Sequence, residues 1–438
     1  MIPSHSPITT SPPRKLNGMV VRDHRFELPL NYATPRGEKI EVFAREVCLG
    51  KQDDNKSLPW MVFFQGGPGC ASPRPTLNSG WMGEVLKSHR LLLLDQRGTG
   101  LSTRVMPQSL ARFPDAQQQA DYLTHFRADN IVRDAEAIRH TLLGKENPWI
   151  GMGQSYGGFC LLTYLSMYPQ GLSGVVITGG VACIKRRIEE NYRLTYRRVL
   201  EKNDAYYRRY PGDEKLARFI ATYLDDNEVM LPSGVRLTSR RFQQLGMAFG
   251  ASGGFEAIHY LLEDAFISGA RGVEISYNFL AEMERRTGFE TNPLFCIMHE
   301  SIYAEGYATR WAAERLREEF PEVAVTGNDR FVFTGEMIAP CMLDDYAALA
   351  PLKECAELLA RKSDWGPLYD LDQLARNEVP VAAISYYDDM YVPIEWSDET
   401  ARHIPNFNLW VTNEWEHNGI GVDGPRILER LLEMLHEV

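Results

Sequence analysis

Residues 153–157 read Gly-Gln-Ser-Tyr-Gly, a G-x-S-x-G pattern with Ser155 at its centre. A serine hydroxyl is a poor nucleophile at neutral pH unless a base removes its proton. The usual base is a histidine held in place by a carboxylate. Ten histidines are available, and His417 is set apart because it follows the last expected strand, in Glu416-His417-Asn418-Gly419. The carboxylate should follow the strand before that one, where Tyr387-Asp388-Asp389-Met390-Tyr391-Val392-Pro393 offers two aspartates. Serine, then aspartate, then histidine is a chain order compatible with acyl transfer through a covalent intermediate. Such chemistry also needs backbone N–H groups aimed at the oxyanion of the tetrahedral intermediate. One should come from Tyr156, directly after the nucleophile. The other should come from Gln65-Gly66-Gly67-Pro68-Gly69, with Gly67 the expected donor, because glycines let a backbone approach a substrate closely.

These groups can cooperate only if strand ends bring them to one edge. Residues 18–30 and 39–48 read as two strands joined by a turn carrying Pro35 and Gly37. The apolar runs 59–64 and 91–94 suit buried central strands, and each stops at a polar, glycine-bearing turn. Ile131, Ala135, Ile138 and Leu142 recur at helical spacing over 130–143, with Asp129 as the expected N-cap. A strand into Ser155, a helix over 159–168 and a strand over 173–178 follow. This alternation predicts a mostly parallel, doubly wound α/β sheet. Beyond Gly180 the chain is rich in Arg, Glu, Tyr and Leu, with helices expected over 189–210, 213–225, 254–268 and 308–319. Strands return at 379–385 and 407–412, and an amphipathic helix over 425–436 closes the chain. The expected organisation is a first core segment (1–181), an inserted helical cap (182–378) and a second core segment (379–438).

A chain of 438 residues accommodates one large α/β domain with an insertion, and 44% hydrophobic with 24% charged residues is ordinary for a globular protein. The net charge of −11 argues against nucleic-acid surfaces and anionic membranes. Residues 1–14 are rich in Pro, Ser and Thr without the apolar stretch of a signal peptide, and no run of 18 apolar residues suggests a membrane span. Seven cysteines, an odd number without close pairing, read as reduced thiols in a cytoplasmic protein. No Cys or His grouping has zinc-site spacing, so the expected chemistry needs no metal or cofactor.

The motifs together resemble those of the proline iminopeptidases (prolyl aminopeptidases), α/β-hydrolases that release N-terminal proline. The resemblance is carried by Gly66-Gly67-Pro68-Gly69, Asp95-Gln96-Arg97-Gly98-Thr99-Gly100-Leu101-Ser102, Gly153-Gln154-Ser155-Tyr156-Gly157-Gly158, Asp389-Met390-Tyr391-Val392-Pro393 and Glu416-His417-Asn418-Gly419. The length points to the longer branch of that family, with an enlarged cap. Gln65 stands where a histidine is usual and Tyr156 where a tryptophan is usual, both positions that act through backbone. In α/β-hydrolases the acid commonly lies four residues before a proline, which favours Asp389 over Asp388. The resemblance further implies cap glutamates that bind the free amine of a peptide substrate, and Glu300 and Glu336 match. An aminopeptidase has a physical use for them, since fixed anions that pair with an α-ammonium exclude internal peptide bonds. The expected activity is a metal-independent serine aminopeptidase acting on small peptides with a free N-terminal proline. The alternatives are an esterase or amidase using the same triad on small acyl substrates, and a binding protein that keeps the fold without turnover. Cys70, directly after the 66–69 loop, is the thiol expected to report on the acyl site, and Cys160, one helical turn past Ser155, is expected to be buried.

Overall fold

The computed structural model describes residues 8–270 and 272–437. Residues 1–7, half of the Pro/Ser/Thr-rich stretch, lie outside it. The strands are β1 (Ile8–Thr10), β2 (Arg14–Leu16), β3 (Met19–Pro29), β4 (Lys39–Leu49), β5 (Trp60–Phe64), β6 (Arg90–Asp95), β7 (Trp149–Gln154), β8 (Leu172–Thr178), β9 (Phe266–Gly269), β10 (Gly272–Ile275), β11 (Val381–Tyr386) and β12 (Phe407–Thr412). Ten of them form one sheet in the order β1-β3-β4-β6-β5-β7-β8-β11-β12, with β2 also on β3. From β6 to β12 every pairing is parallel, whereas β1 to β4 are antiparallel and β4 joins β6 antiparallel. The central strands are covered on both faces, which is why Leu91–Leu94 and Val381–Ile384 are continuously apolar.

One face packs on the helices Ala128–Leu143 and Tyr156–Met167, and the other on Gly80–Val85 and Gly424–Met434. A separate apolar cluster, drawn mainly from residues 188–337, forms the heart of the inserted region, with Ile188, Tyr196, Phe242 and Phe333 among its members. Later residues of the insertion, including Ile338, Leu349, Leu359 and Leu374, instead join the core that backs the sheet. The helix Lys353–Arg361 accordingly packs beside Ala116–Leu123.

Several local expectations are corrected. The helix expected over 130–143 with Asp129 as N-cap begins two residues earlier, at Ala128, with Arg127 as N-cap. The Arg127 guanidinium is turned away to the carbonyls of Ser301, Ala304 and Gly366, and Asp129 sits in the first turn, where its charge suits the helix dipole. The helix expected over 254–268 stops at Glu263, and the antiparallel pair β9–β10 follows. The helix expected over 308–319 starts only at Ala312, because Arg310 and Trp311 hold left-handed φ values of 52° and 54°. Part of the Pro/Ser/Thr-rich N-terminal stretch, for which the sequence suggested no strand, adds β1 and the start of β2 to the sheet.

Candidate active site

The carboxyl ends of β5, β7, β8, β11 and β12 meet at one edge of the sheet, and each delivers a group. After β7 the chain turns sharply into the helix Tyr156–Met167, and Ser155 at the turn takes φ 55° and ψ −125°. A non-glycine residue there stores backbone strain that its surroundings must hold. Two glycines hold it by close approach. A Cβ on Gly157 would lie 2.0 Å from the Phe64 carbonyl oxygen, and one on Gly153 would lie 2.5 Å from the Gly157 carbonyl. Neither position tolerates a side chain, so the G-x-S-x-G spacing is a packing requirement.

The loop after β5 passes directly over the serine: a Cβ on Gly66 would stand 2.9 Å from the Ser155 Cβ. The Gln96 amide, from the loop after β6, donates to the Gln65 carbonyl at 3.0 Å and fixes that loop. The rest of the 95–102 motif is structural. Asp95 accepts from the backbone of Ser72 and Leu101 and pairs with Arg74, while Arg97 is fully buried against Asp134 at 2.6 Å. The chain after β8 links serine and histidine. A Cβ on Gly180 would strike the Ser155 carbonyl at 2.1 Å, and one on Gly179 would sit 3.2 Å from the His417 Nδ1.

After β11, Asp389 is buried and its Oδ2 lies 2.6 Å from His417 Nδ1. Its other oxygen accepts from the backbone N–H groups of Tyr391, at 2.8 Å, and Val392, at 3.1 Å. All the oxygens of this carboxylate are therefore directed, and Nδ1–H donation to Asp389 leaves His417 Nε2 as the basic nitrogen. Burial disfavours the His417 cation, but the charge and hydrogen bond of Asp389, with Glu336 and Glu416 nearby, outweigh it and raise the imidazole above its ordinary 6.5. Tyr391 stands edge-on to the His417 ring, centroids 4.9 Å apart, and its hydroxyl is tied to the Met247 carbonyl of the insertion.

The two glutamates have different surroundings. Glu336 lies in the field of Asp389 and His417: burial, with a smaller repulsion from Asp389 against the attraction of His417, pushes its carboxyl up to about 8. Among the described residues its nearest cationic candidate is His299, 3.9 Å away, whose own burial lowers it to about 4 and keeps it neutral. Glu300 is the more deeply buried, and its oxygens accept from the backbone of Ala312 and Ala313, each at 3.0 Å, at the start of the helix Ala312–Leu316. Burial raises Glu300 and those N–H groups, with Thr309, oppose the shift. Tyr192 is buried, its hydroxyl has no hydrogen-bond partner among the described residues, and burial with the fields of Glu300 and Glu336 raises its phenol well above the ordinary value.

Sequence reasoning missed the residues that hold the site from outside the motifs. Gly179 and Gly180 carry a signal, a glycine pair at a strand's carboxyl end. Lys202, which pairs with Glu416 at 2.5 Å, carries none, because it lies 214 residues away on the helix Ile188–Arg209. Cys70 is partly buried beside Asn292, and burial, with the Glu336 charge behind it, pushes the thiol up to about 11. Cys160 is buried.

A strained serine between strand and helix, at the edge of a parallel sheet with an aspartate-bound histidine, defines the class. The chain belongs to the α/β-hydrolase fold family, whose model matches residues 59–423. It is 50% identical over 420 residues to the proline iminopeptidase of Aeromonas sobria, covering 96% of this chain and 97% of that one. A proline iminopeptidase of Aspergillus aculeatus is 36% identical over 420 residues, covering 94% and 92% respectively. Within the fold family, then, the chain is a member of the proline iminopeptidases, as its motifs suggested. Among solved structures, a proline iminopeptidase from Mycobacterium smegmatis is similar at a TM-score of 0.43 and 15% identity, covering 94% of this chain and 97% of that one.

Proposed function

We propose that the chain is a serine aminopeptidase that releases N-terminal proline from small peptides, with Ser155, His417 and Asp389 as the triad. The Ser155 hydroxyl attacks the carbonyl carbon of the N-terminal residue while His417 Nε2 takes its proton. The oxyanion forms beneath the N–H groups of Tyr156 and Gly67. As the tetrahedral intermediate collapses, the imidazolium returns the proton to the departing amine and an acyl-enzyme remains. Water, deprotonated by the same nitrogen, then releases the free amino acid. Asp389 keeps the imidazole in the reactive tautomer throughout.

The observation that carries the aminopeptidase reading is Glu336. A largely buried carboxylate in the field of Asp389 and His417, with only a neutral His299 within 4 Å among the described residues, is unfavourable in the free protein, and a substrate ammonium would relieve that cost. An esterase acting on neutral acyl groups has no use for it. Glu300, with its oxygens on backbone N–H groups, is a second buried carboxyl whose field, like that of Glu336, reaches Tyr192. The names of the relatives supply the preference for proline. Among the described residues no helix is long and apolar enough to cross a membrane, and the seven cysteines are free thiols, as suits a protein of the cytoplasm. A panel of aminoacyl-naphthylamides, with and without N-acetylation, beside nitrophenyl esters tests the reading. Prolyl substrates with a free amine should be the best, and equal cleavage of acetylated and free substrates would make the protein an esterase or amidase.

A further inference from the structure

The catalytic histidine is carried by the core, but much of what holds its loop comes from the insertion. Lys202 is buried on the helix Ile188–Arg209, and its ammonium lies 2.5 Å from Glu416 Oε1, one residue before His417. The other Glu416 oxygen is shielded from solvent and has no hydrogen-bond partner among the described residues. Three further bonds join the His417 loop to residues 250–252, another part of the insertion. The His417 N–H donates to the Gly250 carbonyl at 3.1 Å, the Glu416 N–H to the Ser252 hydroxyl at 3.1 Å, and the Ser252 N–H to the Asn418 side chain at 2.8 Å. Tyr391, edge-on to the imidazole, packs so closely on this segment that a Cβ on Gly250 would overlap its ring at 2.2 Å.

We infer that Lys202 and Glu416 are positioning residues, an ion pair through which the insertion sets the orientation and the basicity of His417. The inference rests on His417 being the general base of the proposed reaction. The pair does not touch the reacting atoms. It acts on the imidazole by tying Glu416, one residue before it, to the helix Ile188–Arg209 of the insertion, and by placing a charge near the ring that the ammonium partly cancels. The charged groups around His417 are Asp389 from the loop after β11, Glu336 from the insertion and Glu416 from its own loop. Glu416 in turn faces Lys202 from the insertion and Asp388 and Asp389 from the loop after β11. Of these, Lys202 is the one cation, so its pairing decides how much of the Glu416 charge the ring feels.

The test is the pH profile of kcat/KM for Glu416→Gln, Lys202→Met, Lys202→Arg and the double variant Lys202→Met/Glu416→Gln. Glu416→Gln leaves the ammonium beside the ring and should move the rising limb to lower pH, by roughly half a unit to one unit. Lys202→Met leaves the carboxylate and should not lower the limb. Both should reduce kcat, by roughly 10- to 100-fold, with smaller changes in KM, as expected when a base is misplaced and no substrate contact is lost. The double variant, neutral on both sides, should bring the limb back towards the parent, and Lys202→Arg should retain most of kcat. A contribution confined to folding would lower thermal stability while kcat, KM and the limb stayed at the parent values, and that result would overturn the inference. So would Glu416→Gln and Lys202→Met shifting the limb in the same downward direction. If Glu416→Gln does not fold, the double variant and Lys202→Arg still decide, since the first should recover the limb and the second kcat. The profile can be read on a nitrophenyl ester as well as a prolyl amide, so failure of the aminopeptidase reading leaves this test intact.

Discussion

Replacing Glu336 with Gln should make the protein more stable and a worse aminopeptidase. Burial raises this carboxyl from an ordinary 4.5 to about 8, so between those two values the unfolded chain is ionised while the folded one keeps its proton. The folded state then binds more protons than the unfolded, and stability falls as pH rises through that window. Below 4.5 both states are protonated and the penalty vanishes; above 8 it is complete. At about 1.36 kcal/mol per unit, it amounts to less than about 1 kcal/mol at pH 5 and up to about 3 kcal/mol at pH 7. The Glu336 side chain retains 19% exposure, which makes those figures upper bounds. Gln nearly preserves shape and cannot ionise, so urea denaturation of parent and Glu336→Gln should coincide near pH 4.5 and diverge in favour of the variant towards pH 8. The same substitution removes a charge-assisted contact to the substrate ammonium worth about 1.5–3 kcal/mol, a loss of roughly 10- to 200-fold in kcat/KM on prolyl-naphthylamide. A neutral nitrophenyl ester should react nearly as before. Binding of an amine substrate analogue to the parent at pH 7 should release a proton, read as a buffer-dependent heat, as the ammonium drives Glu336 to ionise. A stability difference that does not change with pH, or equal loss on amide and ester, would refute the reasoning. Glu300→Gln is a poorer probe, because an amide NH₂ group would face the N–H groups of Ala312 and Ala313 and cost stability by itself.

Ser155→Ala and His417→Ala should each lower kcat by several orders of magnitude, and the double variant should lose little more, because triad members act as a unit; chelators should have no effect, and zinc-reversible inhibition would rule out the serine mechanism. Asp389→Asn should cost about 10⁴ in kcat by presenting the wrong tautomer of His417, and Asp388→Asn far less, so the reverse ranking in steady-state assays would assign the other carboxylate. The rising limb of kcat/KM should lie above the ordinary histidine value of 6.5, since the Asp389 pair raises His417 and the base must be neutral to act; a limb below that value would show that burial prevails. Cys70, with its thiol pushed up to about 11, should alkylate slowly at pH 7, yet a mercurial there should inhibit, and undiminished inhibition of Cys70→Ser would place the sensitive thiol elsewhere.

Wherever local geometry dictates residue type, the site was legible. Gly153 and Gly157 must be glycines because backbone lies within 2.5 Å of where their Cβ would be, and a nucleophile between two such positions advertises itself in five letters. The apolar runs of β5, β6 and β11 were readable because strands buried on both faces have no polar alternation to keep. Asp389 and His417 could be ordered along the chain because parallel strands deliver their carboxyl ends to one edge. The insertion offered no such rule. Its helices are half-buried and amphipathic, a pattern that many packings satisfy, so neither the division of residues 338–374 from the cap cluster nor the hairpin β9–β10 could be read in advance. The different fates of the two glutamates were equally hidden. Nothing in their local sequence separates them, yet one spends its oxygens on a helix start and the other lies in the field of Asp389 and His417. Composition and spacing determine which residues can do chemistry and which strand ends must carry them. Burial, partner and charge state depend on what arrives from 100 or 200 residues away, as Lys202 does at Glu416, and only the tertiary structure decides that.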